Sequence, residues 1–386
     1  MGNGRLGSVG GGHGRVCGPG HLPSGSAQLW RLVERRDDPR LGGSWQNSAT
    51  YRCFRVGFRE PDPRLASAGC AAHETRRLEA GLAPAFDTNG KGRLKVLKRE
   101  LSPYSTTFPC EIVTCRLTDN KTTEVFCKYS ADIDYTGFGH RGGPAYELTV
   151  YREVLRPIGV SVPICYGGEV DPKSGQAWLA LEYLPDALGV GKLYRSGAML
   201  AAAGWIGRFH RLTQTRATAG GTAWMKAYTR QYYMGWVRRT LKSSSSLLRK
   251  HPWLEAVCQR ASGLLAPLLD EPLSIIHGEY YPHNVLYHRG RVYPVDWESA
   301  ARAAGEIDIA ALTEDWSAKM TRSCIAAYQQ ERWPEGVPAD FTRRFLAARL
   351  YLCFRWLGDY ADWSRYSASS DYLRRLRRLG REVGVL

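Results

Sequence analysis

Two short stretches hold the residues best suited to chemistry. The first is His277-Gly278-Glu279-Tyr280-Tyr281-Pro282-His283-Asn284, and the second is Pro294-Val295-Asp296-Trp297-Glu298. Phosphoryl transfer requires a carboxylate beside the attacking hydroxyl and oxygen ligands that hold Mg2+ on the phosphates. Glu279 and Asn284 supply an acid and an amide from one loop. Between Asn284 and Asp296, Val285-Leu286-Tyr287 and Val292 to Val295 read as two apolar strands joined by a His288-Arg289-Gly290 turn. Such a hairpin returns the chain so that Asp296 faces the same cleft.

These residues carry a family resemblance. His-Gly-Asp-x-x-x-x-Asn followed by Ile/Val-Asp-Phe/Trp marks aminoglycoside phosphotransferases and the choline-kinase-like enzymes around them. Gly305-Glu306-Ile307-Asp308-Ile309-Ala310 resembles that family's next motif, Gly-x-x-Asp-Leu-Ala. The resemblance implies an α+β, bilobal, protein-kinase-like fold with ATP in the cleft. It also implies Mg2+ held by Asn284 and Asp296, a small-molecule hydroxyl acceptor beside Glu279, and Asp308 bracing the loop. One departure is Glu279, where the family usually has Asp. Glutamate is one methylene longer and must fold back, although either carboxylate can accept or orient a proton. The competing reading is a catalytically inactive, nucleotide-binding pseudokinase scaffold. A protein kinase proper fits poorly, because the loop reads His-Gly-Glu and no Ala-Pro-Glu follows Asp296. His277 reads as a structural hydrogen-bonding residue and His283 as a solvated loop residue.

The elements that must position this loop lie upstream. Glu111 to Leu117 and Thr123 to Tyr129 read as strands with a turn at Asp119-Asn120-Lys121, and Tyr146 to Leu155 has helical spacing. With the buried strand Gln176 to Tyr183 they form a small mixed lobe of sheet and helix. By the resemblance, Lys128 is the strand lysine that grips the α- and β-phosphates, and Glu147 rather than Glu153 is its helix partner. Ser105 and Thr106 belong to a Ser-rich loop over the phosphates, and backbone groups near Glu182 and Leu184 receive adenine. Downstream, helices dominate: Ala198 to Leu212, Trp224 to Leu248, Trp253 to Leu269, and from Glu306 onward. His210 reads as packed, and the aromatic stripe of Arg349 to Leu357 as core near the acceptor pocket.

The expected domains are an extension over 1–90, a nucleotide-binding lobe over 91–185, and a helical lobe with catalytic loop and acceptor site over 186–386. Ten glycines in residues 1–25 leave little with which to build a core, so the extension is expected to be largely disordered, with ordered sequence from Leu94. Residues 42–59 faintly resemble the C-terminal end of formylglycine-generating-enzyme-like domains but are too few to carry that activity. No apolar run reaches membrane-spanning length, and the N-terminus lacks a signal-peptide stretch. The ten cysteines show no CxxC pair and fit reduced thiols in a cytoplasmic protein. The net charge of +16 comes without a nucleic-acid-binding signature, so a basic surface is the simpler reading. The acceptor stays open among aminoglycoside-like compounds, sugars and amino alcohols. Aminoglycosides favour acidic pockets, and residues 341–386 hold ten Arg against four acids.

Overall fold

The computed structural model describes residues 75–86, 94–102, 108–130, 137–193, 196–218, 220–243, 245–359 and 368–386. Ser105, Thr106, the glycine-rich start and the stretch 42–59 lie outside these residues.

Period-two alternation sorts the N-terminal strands into two faces. Strands β1 (Lys95–Leu101), β2 (Cys110–Arg116), β3 (Thr122–Tyr129), β4 (Cys165–Val170) and β5 (Ala177–Glu182) form one sheet in the order β1-β2-β3-β5-β4. All its pairings are antiparallel. Val125, Cys127 and Tyr129 point to one face, with Val113, Trp178 and Ala180. Lys128, between Cys127 and Tyr129, must therefore point to the other face. There a helix, Gly143–Val150, packs with its Leu148 in the same core as Leu179 and Leu181. This strand parity aims the lysine at the helix and at the lobe below.

Order begins earlier than the sequence suggests. Helix α1 (Thr75–Phe86) covers the outer face of the sheet, burying Leu78 and Leu82 completely. Glu79 accepts the Val96 N–H at 2.9 Å, which ties α1 to the start of β1. Gly81 allows the close approach, since a Cβ there would lie 2.5 Å from the Trp178 ring. The apolar stripe is only two leucines wide and sits among Arg, Ala and Gly, too weak a period to stand out. Residues 75–86 thus belong to the sheet's core and not to the expected disordered extension.

After α1, helix α2 (Gly143–Val150) runs into a π-turn at Tyr151–Leu155. The remainder is mainly helical: α3 (Ser196–Thr218), α4 (Arg230–Ser243), α5 (Ser245–Lys250), α6 (Trp253–Leu265), α7 (Glu306–Leu312), α8 (Ala318–Arg332), α9 (Phe341–Asp359) and α10 (Ala368–Glu382). The helix expected from Trp224 starts at Arg230. Two small sheets interrupt the helices. β7 (Ser274–Ile276) pairs with β10 (Ala301–Ala303), and the hairpin β8 (Val285–His288) and β9 (Arg291–Pro294) extends a two-residue strand, β6 (Leu188–Gly189). The buried residues of these helices join those of α2 and the π-turn in one hydrophobic cluster. Among the described residues no helix is long and apolar enough to cross a membrane.

Because Leu82 is fully buried between α1 and the sheet, Leu82→Ala is expected to lower unfolding free energy by about 2–5 kcal/mol. Urea unfolding of the whole chain measures this, and an unchanged midpoint would contradict the docking of α1.

Candidate active site

The loop between β7 and β8 is fixed from behind by one carboxylate. Asp308, near the start of α7, accepts the backbone N–H of His277 at 2.7 Å and of Gly278 at 2.9 Å. Its Oδ2 also lies 3.1 Å from His210 Nε2, and His210 Nδ1 lies 3.1 Å from the Tyr328 hydroxyl. Burial pulls the His210 pKa down despite Asp308. A neutral imidazole then donates from Nε2 to Asp308 and accepts at Nδ1 from Tyr328. Gly278 has φ +83°, and a Cβ there would sit 2.3 Å from the Ser299 carbonyl oxygen, so only glycine fits. His277 Nε2 contacts the Val295 carbonyl at 2.9 Å, and its Nδ1 accepts the Glu279 N–H at 3.3 Å. Both nitrogens serve the loop's shape, as the sequence suggested.

The hairpin then brings Asn284 beside the segment carrying Asp296. The Asn284 carbonyl accepts the Val295 N–H at 2.9 Å. The Asn284 side chain donates from Nδ2 to the Glu279 carbonyl at 3.0 Å, which leaves the amide oxygen as its ligand atom. Asp296 takes a left-handed conformation with φ 69°.

Across the cleft, Lys128 Nζ meets three carboxylates from two elements of the chain. It lies 2.6 Å from Asp296, 2.8 Å from Glu147 and 3.2 Å from Glu298. Burial opposes the ammonium's charge, but Asp296, Glu147 and Glu298 outweigh it and hold the Lys128 pKa well above its ordinary value. The other oxygen of Glu147 accepts the Trp297 N–H at 3.1 Å, so this helix residue also anchors the Asp296 segment. Glu153, by contrast, is exposed. Glu147, Asp296 and Glu298 each offer an oxygen within 4.8 Å of the others. Burial, with Asp296 and Glu147 nearby, pushes the Glu298 pKa up to about 8 even though Lys128 opposes the shift. Lys128 thus faces three carboxyl groups, of which Glu298 most readily holds a proton, and the donor set suits a hard divalent cation.

Glu279 is surrounded by positive charge. Its Oε1 accepts from Arg141 Nη2 at 3.0 Å and from Arg355 Nη2, and lies 3.4 Å from His140 Nε2. Glu279 is only 5% exposed. Burial alone would raise its pKa, but Arg141 and Arg355 reverse this and hold it well below the usual carboxylate range. His140, whose Nδ1 is 2.7 Å from the Tyr232 hydroxyl, is pushed down to about 3, chiefly by burial and then by Arg355. Arg141 also reaches Glu298, with 3.5 Å from Nε to Oε1.

The structure thus brings together Lys128, Glu147, Asn284 and Asp296, with Glu279 on the same loop as Asn284. Glu182 ends β5, where Val125 pairs with it and Lys128 pairs with Leu179. Its N–H donates to the Ile164 carbonyl at 2.7 Å and its carboxylate accepts the Ile164 N–H at 3.2 Å. The Leu184 carbonyl accepts the Ala187 N–H at 3.3 Å. Four residues were not singled out from sequence: Glu298, His140, Arg141 and Arg355. Glu298 stood inside the quoted motif. Arg355 left one signal, a lone charge in the apolar run Leu350 to Leu357, since a buried guanidinium requires a partner. His140 and Arg141 left none, because they belong to a glycine-rich turn.

Residues 146–343, just over half of the chain, match the profile of a family described as "Phosphotransferase enzyme family". No curated protein matches the chain. Among solved structures it is similar to LicA in complex with AMP, at 15% identity over 80% of this chain and 99% of that one, with a TM-score of 0.50. A thermostable mutant of aminoglycoside phosphotransferase APH(4)-Ia shares 13% identity over 75% and 96% of the two chains, with a TM-score of 0.51. Choline kinase from Cryptosporidium parvum Iowa II shares 13% over 76% and 91%, with a TM-score of 0.50. At these identities the likeness concerns the fold, which is protein-kinase-like.

Removing the Glu279 charge leaves two arginines facing each other in a buried site. Glu279→Gln is expected to cost about 3–5 kcal/mol at neutral pH. Because the folded-state pKa is depressed, this contribution is full above the ordinary carboxyl value of 4.5 and is lost as pH falls through the folded value. Denaturant unfolding of wild type and variant between pH 3 and 7 checks it; a gap that is constant or widens towards acid contradicts the assignment.

Proposed function

Because this chain belongs to the phosphotransferase enzyme family, we propose that it moves the γ-phosphate of ATP to a hydroxyl of a small molecule. Residues 91–185, with α1 attached, form the proposed nucleotide-binding lobe, and 186–386 supply the catalytic loop and acceptor site. The observation that carries this reading is the Lys128 ammonium shared among Glu147, Asp296 and Glu298, opposite a loop bearing Glu279 and Asn284. The similar LicA structure holds AMP, which supports nucleotide binding here.

In this reading Lys128 donates to the phosphates and Glu147 keeps its ammonium in register. Ser105 and Thr106 lie over the phosphates, and the backbone at Glu182 and Leu184 receives adenine. Asp296, Asn284 and Glu298 would hold Mg2+, which when bound neutralises phosphate charge. The acceptor oxygen forms its bond to γ-phosphorus as the bond to the β–γ bridging oxygen breaks, ADP leaves with that oxygen, and the hydroxyl proton passes to an oxygen of the transferred phosphate or to water. Glu279 orients the acceptor hydroxyl. Held ionised by Arg141 and Arg355, it is a weak proton acceptor, so its main contribution is positioning.

The same arginines favour a second reading. Both occupy the carboxylate that an acceptor must reach, as expected of a nucleotide-binding scaffold without transfer. Single-turnover transfer from γ-labelled ATP to a panel of hydroxylated compounds separates the two. The kinase reading predicts product in wild type and a loss of about 10²-fold or more in Lys128→Met and Asp296→Asn. ATP binding without transfer to any compound would favour the scaffold.

A further inference from the structure

The acceptor side of the cleft carries more positive charge than Glu279 neutralises. Arg355, on α9, is 1% exposed, and its Nε and Nη1 have no hydrogen-bond partner among the described residues. Its Nη2 shares Glu279 Oε1 with Arg141. Lys226 adds a further cation; its Nζ donates to the His140 carbonyl at 2.7 Å and lies 3.4 Å from that of Glu298. Arg239 stacks 4.1 Å over the Phe138 ring on the same turn. Against these stand Glu279 itself, Glu298, which lies 3.5 Å from Arg141 Nε and acts on Lys226, and Asp359, whose charge acts on both Arg141 and Arg355. Buried guanidinium donors left without acceptors carry a desolvation cost; Arg332 on α8 also leaves Nε and Nη1 unpaired, and Arg355 differs in sharing an oxygen of Glu279 with Arg141.

We infer that the acceptor carries an anionic group, a carboxylate or a phosphate, close to the hydroxyl that is phosphorylated, and that Arg141 and Arg355 receive it. Arg141, whose side chain is 18% exposed, is the guanidinium an incoming molecule meets first. Arg355 lies behind it. Planar guanidinium groups match the oxygens of carboxylate and phosphate. When the acceptor's anion takes these donors, Glu279 loses the contacts that now hold it and becomes free to meet the hydroxyl. An anion that takes Arg355 Nη2 together with its unpaired Nη1 frees Glu279 and meets one orphan donor in the same exchange. A cationic acceptor would leave the donors unmet and add like charge. The inference rests on the proposed phosphotransfer, because it assigns the anion to the molecule whose hydroxyl is phosphorylated.

Two measurements test it, and the first needs no phosphotransfer. The whole protein is titrated with inorganic phosphate and with acetate at fixed ionic strength, following thermal unfolding. Saturable stabilisation is expected in wild type, weakened by about tenfold in apparent affinity in Arg141→Gln, the loss of one charged hydrogen-bonding partner. No saturable effect, or an equal effect in both proteins, overturns the inference. The second compares kcat/KM for acceptors matched in skeleton and differing in charge: gluconate against glucose, glycerate and glycerol phosphate against glycerol, with choline as the cation. Preference for the acids, reduced in Arg141→Gln, supports the inference, and the carboxylate and phosphate arms show which anion is used. Preference for choline or the neutral partners overturns it while leaving the kinase reading intact. Anion binding at Arg141 with no transfer to any compound counts against the kinase reading and overturns the assignment of the anion to an acceptor.

Discussion

The site depends on one buried ammonium. Lys128 leaves β3 on the face turned towards α2, and its charge is tolerable there only because Glu147, Asp296 and Glu298 surround it. These contacts tie a strand, a helix and the segment after a hairpin to one point. Glu147 strengthens the tie by also holding the Trp297 N–H. Removing Lys128 would leave three carboxyl groups facing one another, so the cluster fixes how the sheet meets the loop. The carboxyl groups exceed this ammonium in number, although Arg141 also reaches Glu298, and such a donor set suits a divalent cation.

A second layer holds the loop from behind. Asp308 takes two loop N–H groups and is itself fixed by His210, which Tyr328 positions from α8. Gly278 lets the loop pass against Ser299. The chemistry-bearing side chains thus stand on a frame in which Asp308, His210 and Tyr328 satisfy one another inside the protein. Glu279 faces the opposite situation. It is held on its acceptor side by Arg141 and Arg355, one from the turn before α2 and one from α9, so opening that side requires something to replace the carboxylate.

Much of this was legible in the sequence because local spacing encodes it. The acid–amide pair of the loop, the apolar hairpin and the returning Asp296 lie within one short stretch, and the family resemblance pointed to Lys128 at the end of a strand. Glu147 was reachable because the resemblance calls for a helix glutamate and the helix offers only Glu147 and Glu153, of which Glu153 is exposed. What escaped was nonlocal or weakly periodic. Arg355 meets Glu279 across 76 positions, and Arg141 meets it across 138. No spacing rule links such residues. Helix α1 escaped because two leucines in an arginine- and alanine-rich stretch make too narrow a stripe. Glu298 was visible but unassigned, since only the fold shows that it turns back towards Lys128.

The central claim is that the carboxylates around Lys128 form a metal-dependent nucleotide site. Calorimetric titration of the whole protein with ATP, in the presence and absence of Mg2+, tests it most directly when wild type is compared with Asp296→Ala. The account predicts binding that is tighter with Mg2+ and weakened about tenfold or more in the variant, as expected for loss of a charged ligand. Equal ATP affinity in the two proteins with metal present would contradict it.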